Sequence, residues 1–272
     1  MYNEQWIMNK RLNILDEIIE YKKREVARLK NEVSIEMLES EGLFSRKTLS
    51  LKKFLADKNR TGIIAEFKRR SPSKGIINEK SSALEVTKGY ASHGASGLSV
   101  LTDRNFFGGS NDDLMAARVN EIPILRKDFI VDEYQVIESK SIGADVILLI
   151  AACLTPSEVK SFATEAKKLQ MEVLLEIHDE VEIDHICDEI DLVGVNNRDL
   201  KTFRVDLEQS VKLAGQLGSG KPRIAESGIS DIANIRYLKK YGFDGFLVGE
   251  YFMKQDDPVA SFEAFARELK DN

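Results

Sequence analysis

From residue 62 onward one unit recurs eight times: a short run of β-branched and aliphatic residues, then a segment with helical period. The runs are GIIAEFK, GLSVLTD, PILRKDF, DVILLIA, EVLLEIH, LVGVNN, RIAESG and GFLVGE. Apolar character that is continuous rather than alternating means strands covered on both faces, and strands separated by helices pair in parallel. Eight units spaced at roughly 20 to 35 residues, filling roughly 210 in all, fit a (β/α)8 TIM barrel better than an open doubly wound sheet. No Gly-x-Gly-x-x-Gly follows the first run, which weakens a dinucleotide-binding alternative. Helix boundaries are written between the runs. Thr155-Pro156-Ser157-Glu158 places a capping Thr, a Pro at the first helical position and a Glu at the third. Asn111 before Asp112 and Asp113, and Ser230 before Asp231, read as further helix starts, and the glycines of ASHGASG and KKYGFDG as helix ends.

Residues 1–60 precede the first strand and carry an apolar stripe of Ile14, Leu15, Ile18, Ile19, Val26 and Leu29. An isolated helix is marginal in water, so these residues predict added helices packed against a barrel end. The expectation is one domain over 1–272, with 1–60 as an N-terminal helical extension of the barrel.

Composition bounds the function. A net charge of -6 with scattered basic residues gives little support to nucleic-acid or membrane-surface binding, so the counter-charges for any anionic substrate must be local. The apolar runs fall short of the ~20 residues that cross a bilayer. The N-terminus alternates charged and apolar residues, unlike a signal peptide, and the expected location is cytoplasmic. Cys153 and Cys187 form no CxxC or Cys/His pattern and read as small buried hydrophobes. No His, Asp or Glu cluster has metal-ligand spacing and no hydrolytic Ser/His/Asp set is evident, so neither metal nor cofactor is expected.

In such a barrel the chemistry sits at the C-terminal ends of strands. Those ends carry Glu66 and Lys68, Thr102, Lys127, Leu148, Glu176, Asn196, Glu226 with Ser227, and Gly249. Strand side chains alternate, so Glu66 and Lys68 point one way and Ala65 and Phe67 towards the helices; likewise Arg126 faces away from Lys127. A neutralising ion-pair network would also account for these charges. Buried pairs gain little net stability after desolvation, which favours a functional pocket. Phosphate sites in such barrels use the loops after strands 7 and 8, here Ser227-Gly228 and Gly249, where glycine allows close backbone approach. Ser71 and Ser73 in SPSKG offer further hydroxyl donors. Phe106, Phe107 and Phe129, just past strands 2 and 3, are candidates to line a pocket for a flat apolar group. His93 and His185 read as structural, His185 within a helix; His178, two residues after Glu176, is a weaker candidate for the pocket.

These motifs together resemble the indole-3-glycerol phosphate synthase family. The resemblance rests on IIAEFKRRSPSKG, LSVLTDRNFFGGS, PILRKDFIVDEYQV, GADVILLIAACL, LLEIHDE, GVNNRDLKTF, IAESGI and GFLVGEYFM, in order along the barrel. It implies a substrate with an anthranilate ring at one end and a phosphate at the other, 1-(2-carboxyphenylamino)-1-deoxyribulose 5-phosphate, and a reaction of ring closure, decarboxylation and dehydration. Lys127 then matches the general acid at the ketone oxygen. Glu176 matches a carboxylate for proton transfer and for stabilising a cationic intermediate, and Lys68 a second lysine that contacts anionic groups and assists dehydration. How the later protons divide among Glu66, Lys68 and Glu176 stays open. Asn196, Arg198 and Glu226 match substrate-positioning groups; Ser71, Ser227, Gly228 and Gly249 match phosphate-side positions; Phe107, Phe129, Leu148 and Leu200 match the apolar slot. Glu250, an acid beside the expected phosphate, is predicted to point away.

A phosphoribosylanthranilate isomerase-like barrel, a Schiff-base aldolase using Lys127 or Lys68, and a non-catalytic phosphometabolite-binding protein are the alternatives. The implied partner is a phosphorylated small molecule. The sequence stops soon after the eighth unit, so the expectation is a stand-alone chain without a fused isomerase, monomeric or a weak homo-oligomer.

Overall fold

The computed structural model describes residues 13–199, 204–218 and 220–270. Its strands are β1 (Ile63–Phe67), β2 (Gly97–Leu101), β3 (Ile124–Lys127), β4 (Val146–Ile150), β5 (Glu172–Ile177), β6 (Leu192–Asn196), β7 (Arg223–Glu226) and β8 (Gly245–Val248). They close into one barrel in sequence order, every pair parallel, with β8 returning to β1. The apolar runs explain the closure, since each strand buries both faces. Ile64, Leu125, Val146, Leu148, Leu174, Leu192 and Ile224 fill the interior, while Ile63, Ala65, Phe67, Ile147, Leu149, Val173 and Leu175 pack outward with the helical layer. The alternation read from β1 therefore holds, with Glu66 inside between the outward-facing Ala65 and Phe67.

Among the described residues three helices precede β1: α1 (Ile14–Glu32), α2 (Ile35–Ser40) and α3 (Leu51–Ala56). The outer ring follows as α4 (Ala83–Ser92), α5 (Asn111–Ala117), α6 (Glu133–Ser141), α7 (Pro156–Lys168), α8 (Leu207–Ala214), α9 (Ile232–Lys240), α10 (Glu250–Met253) and α11 (Pro258–Lys270). The unit between β5 and β6 has only a 3-10 turn, Glu180–His185, so His185 is not in an α-helix. Thr155 caps α7 in a full capping box, as its sequence predicts. Two other starts lie one residue from the expected position. Ser110, not Asn111, caps α5, and Asp231, not Ser230, caps α9, because only those oxygens reach the N–H groups of Asp113 and Asn234. Gly94 and Gly242 close α4 and α9 with φ of 92° and 81°.

The extension reaches both ends of the barrel rather than one. Leu51 and Leu55 of α3 abut Gly97 and Gly245, the first residues of β2 and β8, and Ser50 bonds Glu172 at the start of β5. That closes the N-terminal end. α1 instead lies at the opposite mouth, where Ile14, Leu15 and Ile18 form part of a cavity wall. Among the described residues no helix is long and apolar enough to cross a membrane.

Candidate active site

A cavity of about 570 Å³ opens at the C-terminal mouth of the barrel. At its centre the Lys127 ammonium, at the last residue of β3, lies 2.8 Å from Glu176 Oε2 and 2.7 Å from Glu226 Oε2. Glu176 Oε1 accepts from Asn196 Nδ2 at 2.9 Å, so β3, β5, β6 and β7 share one network. Burial works against a charged amine, but the carboxylates of Glu176, Glu226 and Glu66 overcome it and hold Lys127 protonated above the ordinary lysine range.

The two carboxylates on Lys127 are driven apart. Burial would raise Glu176, but Lys127 and His178 hold it well below the usual carboxylate range. For Glu226, burial together with the neighbouring Glu176 charge prevails over Lys127 and pushes it up to about 7. One group is then a fixed anion, while the other gains and loses a proton near neutrality, the division that acid–base chemistry requires. His178 Nε2 is 3.2 Å from Glu176 Oε1 and Nδ1 3.5 Å from Glu182. Burial opposes its charge, but these carboxylates raise it to about 10. It buttresses Glu176 and is not among the residues that line the cavity.

Two glycines make room for these acids. A Cβ on Gly194, in the middle of β6, would fall 2.2 Å from Glu226 Oε1, and one on Gly249 would fall 2.5 Å from Glu66 Oε1. Only a bare backbone lets the carboxylates stand upright inside the barrel. Glu66 accepts from Lys68 Nζ at 2.7 Å and from Ser99 at 3.3 Å, forming a second acid–base pair at the end of β1. Arg126 points outward, as alternation predicts, and is buried against Thr102, Glu138 and Ser139.

On one side the wall is apolar. The rings of Phe107 and Phe129 lie 5.9 Å apart, tilted by 39°, and Leu148 rises beside them from β4. Phe106 does not join them; it packs edge-on to Tyr21 of α1 at 5.6 Å. Its own backbone explains the difference, because the N–H groups of Phe106 and Phe107 both bond Asp103 Oδ1 and the turn sends the two rings to opposite sides.

On the other side, Ser227, Gly228 and Gly249 line the cavity together with the half-buried Arg198. Ser227 and Gly228 adopt left-handed backbone with φ of 68° and 71°, and the Asn197 amide donates to Ser227 O at 2.6 Å. A left-handed Ser is strained and persists only where the surroundings impose it, which suits a loop end shaped to receive a ligand. Gly249 opens α10 with no side-chain cap, and its carbonyl accepts the N–H groups of Phe252 at 3.1 Å and Met253 at 2.9 Å. Ser71, on the short hairpin past β1, is buried and lies 3.4 Å from Ser73. Glu250 differs from expectation. Its carboxylate does not turn away; it lines the cavity and bridges Arg198 at 3.5 Å and Lys74 at 3.6 Å, because two cations flank it at the rim.

Every residue matched to the family's site that falls among the described residues lines this one cavity, whereas Thr102, Phe106 and His178 do not; Leu200 lies outside the described residues. The sequence reading missed Ile14, Leu15 and Ile18, whose amphipathic stripe gives no sign of which barrel end it covers. Gly194 was missed because its significance lies in a neighbour's side chain. Among the described residues no group of three or more His, Cys, Asp or Glu side chains could hold a metal ion.

Similarity to known proteins agrees with this geometry. The family model for indole-3-glycerol phosphate synthase matches residues 15–265. An indole-3-glycerol phosphate synthase of Bacteroides thetaiotaomicron is 46% identical over 260 residues, covering 95% of this chain and 99% of that protein. One from a Polaromonas species is 40% identical over 251 residues, with 90% and 95% covered. A tryptophan synthase alpha subunit from Legionella pneumophila superposes with a TM-score of 0.60 at 13% identity, over 81% of this chain and 97% of that one, a likeness of fold alone. With the barrel, the strand-end residues and these relatives in agreement, the chain belongs to the indole-3-glycerol phosphate synthase family.

Proposed function

We propose that this cavity carries out the family's reaction, conversion of 1-(2-carboxyphenylamino)-1-deoxyribulose 5-phosphate to indole-3-glycerol phosphate, with Lys127 as the central acid. The observation that carries the reading is the Lys127 ammonium held between Glu176 and Glu226, with an apolar slot to one side and glycine-bearing strand ends to the other. The phosphate is placed at Ser227, Gly228 and Gly249, with Ser71 and Arg198 nearby, where backbone N–H groups suit an anion. The anthranilate ring is placed between Phe107, Phe129 and Leu148.

As the ring carbon bearing the carboxylate attacks the ketone, Lys127 delivers a proton to the oxygen that becomes a hydroxyl. A developing alkoxide is basic enough to take a proton even from an ammonium stabilised by carboxylates. The anionic Glu176 faces the positive charge left on the ring and nitrogen. Breaking the ring–carboxylate bond returns electrons to the ring and releases carbon dioxide. The hydroxyl then leaves as water with a proton from the Lys68–Glu66 pair, and a carboxylate of the network takes the proton lost from the neighbouring carbon. Glu226, which changes protonation near neutrality, relays protons back to Lys127. Asn196 fixes Glu176 in place. A Schiff-base route needs a neutral amine at Lys127, which the surrounding carboxylates oppose.

We further propose a cytoplasmic enzyme, monomeric or weakly self-associating, in keeping with an N-terminus that alternates charged and apolar residues. We read residues 1–60 as an extension of a single barrel domain, since α1 and α3 complete its two ends. Purified protein mixed with the substrate is expected to produce indole fluorescence with release of carbon dioxide. Binding without turnover would overturn the reading.

A further inference from the structure

The mechanism gives no task to Lys22, a buried cation of α1. Lys22 lies on the apolar stripe of α1, four residues from Ile18 and four from Val26, and is only 2% exposed. Its Nζ is 2.9 Å from Asp103 Oδ2, 3.1 Å from Asp128 Oδ1 and 2.7 Å from Glu25 Oε2. Burial alone would lower this ammonium; Asp128 and Asp103 overcome it and hold it protonated above the ordinary lysine range. Asp128 is lowered in turn, Lys22 and Arg126 prevailing over its burial.

The two aspartates are not arbitrary anchors. Asp103 stands just past β2, and its Oδ1 accepts the N–H groups of Phe106 at 2.7 Å and Phe107 at 3.2 Å. Asp128 stands between Lys127 and Phe129, accepts the Phe129 N–H at 2.8 Å, and takes the Thr102 hydroxyl at 2.6 Å. Both carboxylates that hold the backbone of the aromatic pair are therefore gripped by one ammonium from a helix outside the barrel. One turn earlier on α1, Ile18 and then Ile14 and Leu15 complete the wall beside the cavity. Without Lys22, Asp103 Oδ2 has no other partner among the described residues.

We propose that Lys22 is a positioning residue that assembles the ring end of the active site. It clamps α1 onto the loops after β2 and β3, and so sets Phe107 and Phe129 at the spacing that receives a flat aromatic ring. This rests on the reading that the Phe107–Phe129 slot takes the anthranilate ring. The variants Lys22→Met and Asp103→Asn test it; Asn keeps an oxygen for the two N–H groups but loses the charge that Lys22 grips. Well below the melting temperature, Lys22→Met is expected to raise KM for indole formation about tenfold, the equivalent of ~1.4 kcal/mol. Inhibition by ribulose 5-phosphate, which has the phosphate and sugar but no ring, should change by less than about twofold. Lys22→Arg should restore most of the loss, and Asp103→Asn should raise KM in the same direction if Lys22→Met does not fold. A lower melting temperature with unchanged KM in both Lys22→Met and Asp103→Asn would reduce Lys22 to a packing role and overturn the proposal. Phe107→Ala separates the two claims. If it raises KM while the Lys22 and Asp103 variants do not, only the clamp fails; if it too leaves KM unchanged, the ring-slot reading fails and the clamp with it.

Discussion

Gly194→Ala offers a sharp test of whether the upright carboxylate of Glu226 matters. The new methyl would lie 2.2 Å from Glu226 Oε1, 3.3 Å from its Cδ and 3.4 Å from Leu174 Cδ1. A carbon–oxygen contact needs about 3.3 Å, so one partner must yield by about 1 Å. The backbone cannot, because Gly194 is paired on both sides, in register with Glu176 of β5 and Ile224 of β7. The carboxylate must swing, and a swing of that size breaks the 2.7 Å contact with Lys127. Overpacking of this kind costs ~1–3 kcal/mol of stability, and an error of about 1 Å at a catalytic group costs ~100-fold in rate. Indole fluorescence gives the rate and urea unfolding the stability. Gly218→Ala, at a position with nothing within 4 Å, is the control and should change neither. Adding Glu226→Ala to Gly194→Ala should recover stability but not rate. Wild-type kcat in Gly194→Ala would refute the argument, since either Glu226 does not move or its placement against Lys127 does not matter.

Two further outcomes separate catalysis from architecture. Glu226 is raised from 4.5 to about 7 in the folded chain, so the native state binds the extra proton; its contribution is fully present below pH 4.5 and lost as pH rises through about 7. Glu226→Gln should therefore gain up to ~3 kcal/mol on the wild type between those limits, read from urea midpoints across pH, and a constant difference would contradict the assignment. At the opposite end of the barrel, the fully buried Asp145 pairs with Arg46 and Arg118 and accepts the N–H groups of Leu49 at 2.7 Å and Ile124 at 2.8 Å. Asp145→Asn leaves Arg118 buried without its counter-charge and should cost ~3–5 kcal/mol in unfolding while leaving kcat of the folded protein unchanged.

Strands were legible because burial on both faces forces continuous apolar runs, and a run ending in Lys127 or Glu176 has no packing reason to stop there. Thr155-Pro156-Ser157-Glu158 was legible because capping is local chemistry. What the sequence hid depends on distant partners. Ser110 and Asp231 took the cap positions from neighbours of similar propensity, a choice made by hydrogen-bond reach. Glu250 was expected to avoid an anion site, but Arg198 and Lys74, far apart in sequence, keep it at the rim. Lys22 did leave a trace: a charge four residues from Ile18 and Val26 interrupts the apolar stripe of α1, and a lysine that cannot reach water needs buried acids.

The measurement closest to the central claim is single-turnover formation of the indole chromophore from 1-(2-carboxyphenylamino)-1-deoxyribulose 5-phosphate by wild type and by Lys127→Ala, with unfolding midpoints measured alongside. The account predicts product in the wild type and a loss of ~1,000-fold or more in a folded Lys127→Ala, as expected when one group supplies both the proton and the charge. Indole formation at a near-normal rate in that variant would contradict it.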